Sequence, residues 1–162
     1  GLVNKKGAYI IEPTFDSVCE FYEGTAVVEL NHNQGLINTR GRFIVKPEFD
    51  KVERTNVGVV LVGLNKKWGI VDRSGKMIVK PIYDQVIPLE GGGACVYVGA
   101  TGEWLQAPTG GKWGLIDKTG KFLVEPTFDR FESFVGELAK VWMGYKWGYV
   151  NRKGKVVWMQ NE

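Results

Sequence analysis

Four aspartates recur along the chain, each closing a Pro-x-aromatic-Asp motif: Pro13 to Asp16, Pro47 to Asp50, Pro81 to Asp84 and Pro126 to Asp129. Carboxylates repeated at fixed spacing could serve Ca²⁺ coordination or the paired acids of a glycosidase. Here each stands once per repeat beside a turn proline, the placement expected of an acid that caps a turn. The motif is therefore read as structural. His32 is the single histidine. It lies in the loop Asn31-His32-Asn33-Gln34, with no Gly-x-Ser-x-Gly or comparable nucleophile motif to accompany it. It is expected to be a solvated loop residue, kept only as a candidate partner contact. Cys19 and Cys95 are too few for a disulfide framework and are expected as free, partly buried thiols. Cysteine and histidine spacing offers no metal site. Gly91-Gly92-Gly93 lacks the Lys-Ser/Thr of a phosphate-cradling loop. The chain is thus expected to be non-catalytic, with no catalytic, metal or cofactor residues.

What the motifs do reveal is a period. The four prolines are spaced 34, 34 and 45 residues apart, and a second marker, Gly7, Gly41, Gly75, Gly120 and Gly154, keeps the same rhythm at 34, 34, 45 and 34. Two markers with one shared exception define four repeats, 1–34, 35–68, 69–113 and 114–147, and a partial fifth, 148–162. The third carries an 11-residue insertion. Every marker glycine stands three residues after Asn or Asp: Asn4, Asn38, Asp72, Asp117 and Asn151. That pairing predicts a type I turn closed by a glycine bulge, hence five hairpins. Runs such as Ala26 to Leu30, Val59 to Val62 and Leu138 to Met143 supply further strands. The expected fold is all-β: three-stranded antiparallel units of about 34 residues stacked in an open, twisted array, with propeller-like or barrel closure as the alternative. Proline is expected to end the second strand of each unit, because it cannot donate to the ladder.

The 162 residues have the size of a single domain. With 21 Lys and Arg against 18 Asp and Glu, the net charge is +3. The basic residues form no block or stripe, so nucleic acid is not an expected partner. No apolar run approaches the ~20 residues that cross a bilayer. The chain opens at Gly1 inside a repeat with no signal sequence before it, and is expected to be a piece of a longer protein. Its compartment is left open.

Lys67-Trp68-Gly69, Lys112-Trp113-Gly114 and Lys146-Trp147-Gly148 each precede x-Ile/Val-Asp/Asn and then x-x-Gly-Lys, or a close variant. In these residues the chain resembles the WG-repeat (KWG-repeat) family over nearly its whole length. The second repeat departs, with Gln34-Gly35 at the Trp-Gly position. The resemblance implies a β-rich, largely bacterial module found in arrays and beside other domains, with no single activity. Trp68, Trp113, Trp147 and their glycines are assigned to architecture, each glycine expected to let a large ring lie over backbone without a Cβ.

Function is then expected where the chain departs from its own period. The insertion region, 88–111, is Gly-rich at both ends and carries Trp104 and Leu105 at its centre. Trp104 either packs back on the sheet or stands out as an anchor for a partner, the role in which Trp is enriched at interfaces. Trp142 and Trp158 are also off-motif and suit core or edge cover, with Trp142 a further candidate contact. The expected function is a scaffold for protein–protein interaction. A carbohydrate or cell-envelope binder and a neutralising partner of a toxin or effector are the alternatives. Removing residues 91–101 is expected to restore the 34-residue spacing at little cost in stability.

Overall fold

Each Asn/Asp-x-x-Gly segment makes a turn from its own atoms. The computed structural model describes residues 1–3, 5–101 and 110–161. In it the N–H of Gly41, Gly75, Gly120 and Gly154 donates to the carbonyl of Asn38, Asp72, Asp117 and Asn151. The glycines hold φ between 74° and 93°, a region that side chains resist. Oδ1 of the leading residue accepts two more N–H bonds; at Asp117 they come from Thr119 (2.8 Å) and Lys121 (3.1 Å). The fifth copy begins at Asn4, outside the described residues. Two-residue turns alternate with these. Asn31-His32 and Asn65-Lys66 place both residues at positive φ, the turn that follows strand twist.

The turns join strands β1 (Leu2–Val3) and β2 (Tyr9–Ile11) into a hairpin, followed by four sheets. Sheet 1 holds β3 (Ser17–Val18), β4 (Thr25–Leu30), β5 (Asn33–Asn38) and β6 (Phe43–Phe49). Sheet 2 holds β7 (Lys51–Arg54), β8 (Val59–Leu64), β9 (Lys67–Asp72) and β10 (Met77–Tyr83). Sheet 3 holds β11 (Gln85–Pro88), β12 (Ala94–Val98), β13 (Lys112–Ile116) and β14 (Phe122–Phe128). Sheet 4 holds β15 (Arg130–Phe131), β16 (Leu138–Met143), β17 (Lys146–Asn151) and β18 (Val156–Met159). In every sheet the spatial order is the chain order, an antiparallel meander, and no sheet closes into a barrel. The all-β tandem repeat is as expected. Among the described residues there is no helix, and so none long and apolar enough to cross a membrane.

Three details correct the expectation. Each sheet has four strands rather than three; the added one (β3, β7, β11 or β15) follows the motif Asp and is too short to show alternation in sequence. The sheets are accordingly offset from the 34-residue frame, each beginning just after a motif Asp. In three of the four copies proline does not end the strand either: β6, β10 and β14 run through Pro47, Pro81 and Pro126 to the motif aromatic, whereas β2 stops at Ile11, before Pro13. Each of those three is the last strand of its sheet, paired on one side only, where a missing N–H is tolerated. The Trp-Gly glycine opposite makes the room. A Cβ on Gly69 would lie 2.5 Å from the Val79 carbonyl oxygen and 2.8 Å from Pro81 N. Gly35, Gly114 and Gly1 stand in the same relation to Pro47, Pro126 and Pro13. The glycine thus serves the proline strand, whereas the Trp68 ring lies beside its cross-strand partner Gly63.

The chain divides into two compact units, Gly1–Ile82 and Tyr83–Glu162. In the first, Ile11, Phe15, Val18 and Phe21 pack on Ala26, Val28 and Ile37. Leu36 and Val45 of sheet 1 meet Val52, Val60, Val62 and Val71 of sheet 2. In the second unit, Phe128, Trp113 and Val124 meet Ala139, Val141 and Val150 of sheet 4. The motif aromatics Phe15, Phe49 and Phe128 turn into these cores as expected, each a contribution of about 1.5–3 kcal/mol at full burial.

Candidate interaction face

The repeated aspartates each cap a turn. Oδ2 of Asp16, Asp50, Asp84 and Asp129 accepts the N–H of Asn31 (2.6 Å), Asn65 (2.7 Å), Gly99 (2.9 Å) and Gly144 (2.7 Å). Each bond reaches 15 residues ahead, to the turn between the two central strands of the same sheet. At Asp129 the Lys112 ammonium and then the Gly144 N–H hold the carboxyl below its usual range. All four carboxylates are thus occupied as turn caps. Among the described residues no group of three His, Cys, Asp or Glu is arranged to hold a metal ion.

The same register locates the insertion. The N–H of Asp16, Asp84 and Asp129 bonds the carbonyl of Glu29, Tyr97 and Trp142, a constant step of 13 residues. Sheet 3 is therefore in phase up to Tyr97. Where other sheets have a two-residue turn, residues 99–111 join β12 to β13. The insertion does not follow Pro88, as the sequence suggested: Gly91 to Gly93 form the ordinary turn into β12, with the Gly92 N–H bonded to the Leu89 carbonyl. Removing 91–101 would delete β12 itself. Trp104 and Leu105 lie outside the described residues. His32 is exposed in its turn, the solvated setting expected of it. Of the thiols, Cys19 is exposed rather than partly buried. Cys95 is buried, and desolvation pushes it up to about 12.

Trp142 is the candidate that the structure places in company. Residues directly opposite in antiparallel strands share a face. Pairing runs Arg130–Trp142–Trp147 and, beside it, Lys140–Tyr149–Trp158. All six residues therefore occupy one face of sheet 4. Lys140 Nζ lies 4.8 Å from the Trp142 ring centre and 4.4 Å from that of Trp147. Arg130 lies 4.8 Å from the Trp142 ring, with Glu132 as its ion-pair partner. Trp147 and Trp158 meet at 4.8 Å and 57°. Trp158 remains 46% exposed, so it is surface rather than core.

The other sheets show what this face ordinarily is. The row Lys140–Tyr149–Trp158 corresponds in register to Val27–Leu36–Val45 in sheet 1, Leu61–Ile70 in sheet 2 and Cys95–Leu115–Val124 in sheet 3. In sheet 1 that row is the buried seam against sheet 2. Trp113, the counterpart of Trp147, is packed by Phe131 of the next sheet at 6.1 Å. In sheet 4 alone the row carries a lysine, a tyrosine and an exposed tryptophan. Reading the repeats row by row could have found this. Reading them motif by motif left Trp142 and Trp158 as isolated exceptions and missed Lys140, Tyr149 and Arg130.

A family model described as WG containing repeat matches residues 1–32, 35–68, 68–101, 113–147 and 147–157. The break between the third and fourth matches falls in the β12–β13 connection. No curated protein matches the chain. One solved structure, "KlHsv2 with loop 6CD replaced by a Gly-Ser linker", is similar over 85% of this chain at 9% identity and a TM-score of 0.44; the chain spans 48% of that structure's length.

Proposed function

We infer function from one premise: the chain belongs to the WG containing repeat family. It acts as a non-catalytic repeat scaffold that binds another protein through the Trp142 face of sheet 4. The observation that carries this reading is the exchanged row. A position that is Val, Leu or Cys in the other sheets becomes Lys140, and its row ends in Trp158 at the surface. Such a face no longer suits burial against another aliphatic sheet. It does suit an interface, which favours Trp, Tyr and Arg and bears a polar rim. A protein is favoured over a glycan because a sugar needs an open ring face, and Arg130 and Lys140 both lie over Trp142.

The test is a pull-down from the source organism with the parent chain, Trp158→Glu and Trp104→Ala. Trp158→Glu should weaken a saturable partner by at least the ~2 kcal/mol of an interface hot spot, while the melting temperature holds. Loss with Trp104→Ala alone would move the site into the insertion. Binding on a glycan array in place of any protein would overturn the partner class.

A further inference from the structure

The seam between sheets 1 and 2 leaves a cleft of about 590 Å³ at one end. Its floor is apolar, from Leu36, Ile44 and Val60, of which Leu36 and Val60 are core residues. Its walls carry two guanidinium groups, Arg54 and Arg73, and the Tyr22 ring. Arg54 is anchored: Nη1 donates to the Thr25 carbonyl at 2.8 Å and the group lies 5.6 Å from the Tyr22 ring centre. Arg73 is not anchored, and no hydrogen bond or ion pair holds its guanidinium among the described residues. Glu23 also lines the mouth, so the lining carries one net positive charge.

The equivalent place in the seam between sheets 3 and 4 is filled. Arg152 is the counterpart of Arg73, two residues before its turn glycine. It lies 4.7 Å from the Phe134 ring and donates from Nε to the Gly136 carbonyl at 3.0 Å. Phe134 stands where sheet 2 has Thr55, five residues after the motif Asp. A small residue at 55 thus opens the seam and leaves a cation beside an apolar floor.

We propose that this cleft binds a carboxylate carried on an apolar or aromatic stem, the stem on the Leu36–Ile44–Val60 floor and the carboxylate on the arginine wall. Guanidinium groups pair carboxylates with two-pronged geometry, and a site that is mostly apolar with a few convergent polar groups is the usual form of a small-ligand pocket. The same chemistry belongs to a free aryl acid and to the C-terminal residue of a peptide. Calorimetry on the full chain with phenylacetate, phenylacetamide, and a short peptide ending in phenylalanine as acid or as amide separates the sources. The expected result is that at least one acid binds tenfold or more tighter than its amide. Phenylacetate binding assigns a free acid; peptide acid alone assigns a chain terminus. Arg73→Met, an exposed change that leaves the fold intact, should lose at least tenfold, and Thr55→Phe should close the site. Acid and amide binding alike, no binding by either acid, or full binding by Arg73→Met would each overturn the proposal.

Discussion

The seam between sheets 1 and 2 and that between sheets 3 and 4 are written from one repeat and are closed differently at one end. Between sheets 3 and 4, Phe134 plugs the end of the seam and Arg152 is held across it. Between sheets 1 and 2, Thr55 is too small to plug it, and its hydroxyl is spent on the Val59 carbonyl at 2.7 Å. The backbone register is shared and the filling is not. In this chain stability and an available site are therefore alternatives at one position, decided by whether the residue five after the motif Asp is large.

The largest test removes the plug. Phe134→Ala should cost about 3 kcal/mol in denaturant unfolding, as loss of a packed aromatic does, and should free the Arg152 end for exchange. A loss below about 1 kcal/mol would mean that both seams are equally open. Next comes a change at which the two seams should agree. A Cβ on Gly75 would collide with the Ile44 carbonyl, and one on Gly154 would lie 2.8 Å from the Leu123 carbonyl oxygen. Gly75→Ala and Gly154→Ala should each cost about 2 kcal/mol, positive φ included; a marked inequality would show that the seams differ in backbone as well as filling. Smaller still, Arg152→Ala should cost about 1 kcal/mol in lost packing and hydrogen bonds, and Arg73→Ala almost nothing.

The last effect is silent at neutral pH and develops only in alkali. Cys95 is held up to about 12 by burial, against an unfolded thiol near 9. A raised folded value means full stability below about pH 9, lost as pH rises toward 12. Alkaline titration of the parent should show this loss, and Cys95→Ala should show less of it, the remainder including Tyr83, whose phenol burial also raises. A thiol reagent should meanwhile label Cys19 at once and Cys95 only when the structure opens.

The hairpin turns were legible because their chemistry is complete within five residues, from Asn38 to Arg42 or Asp117 to Lys121. The period was legible because two markers repeat together. The fourth strand was not, since two residues such as Ser17 and Val18 carry no alternation. Nor was the partner of each motif Asp, because a bond 15 residues away depends on strand register. The insertion was misplaced for the same reason: spacing gives its length, but only the step from Asp84 to Tyr97 shows which turn it occupies. The cleft depends on a volume that opposes residues from two sheets, which no single repeat contains.

Asp84 has a consequence for what the chain can become. Its carboxylate accepts the N–H of Gly99 and also of Ala100, at 2.9 and 3.1 Å, at the root of the insertion. On the returning side the Gly111 N–H donates to the Tyr97 hydroxyl at 3.0 Å. Both ends of the connection are moored to the sheet before it departs. New sequence can therefore be exchanged between them without renegotiating the register of β12 and β13. The turn cap makes one hairpin of the array a port, at which this chain carries added sequence and keeps the fold of its repeat.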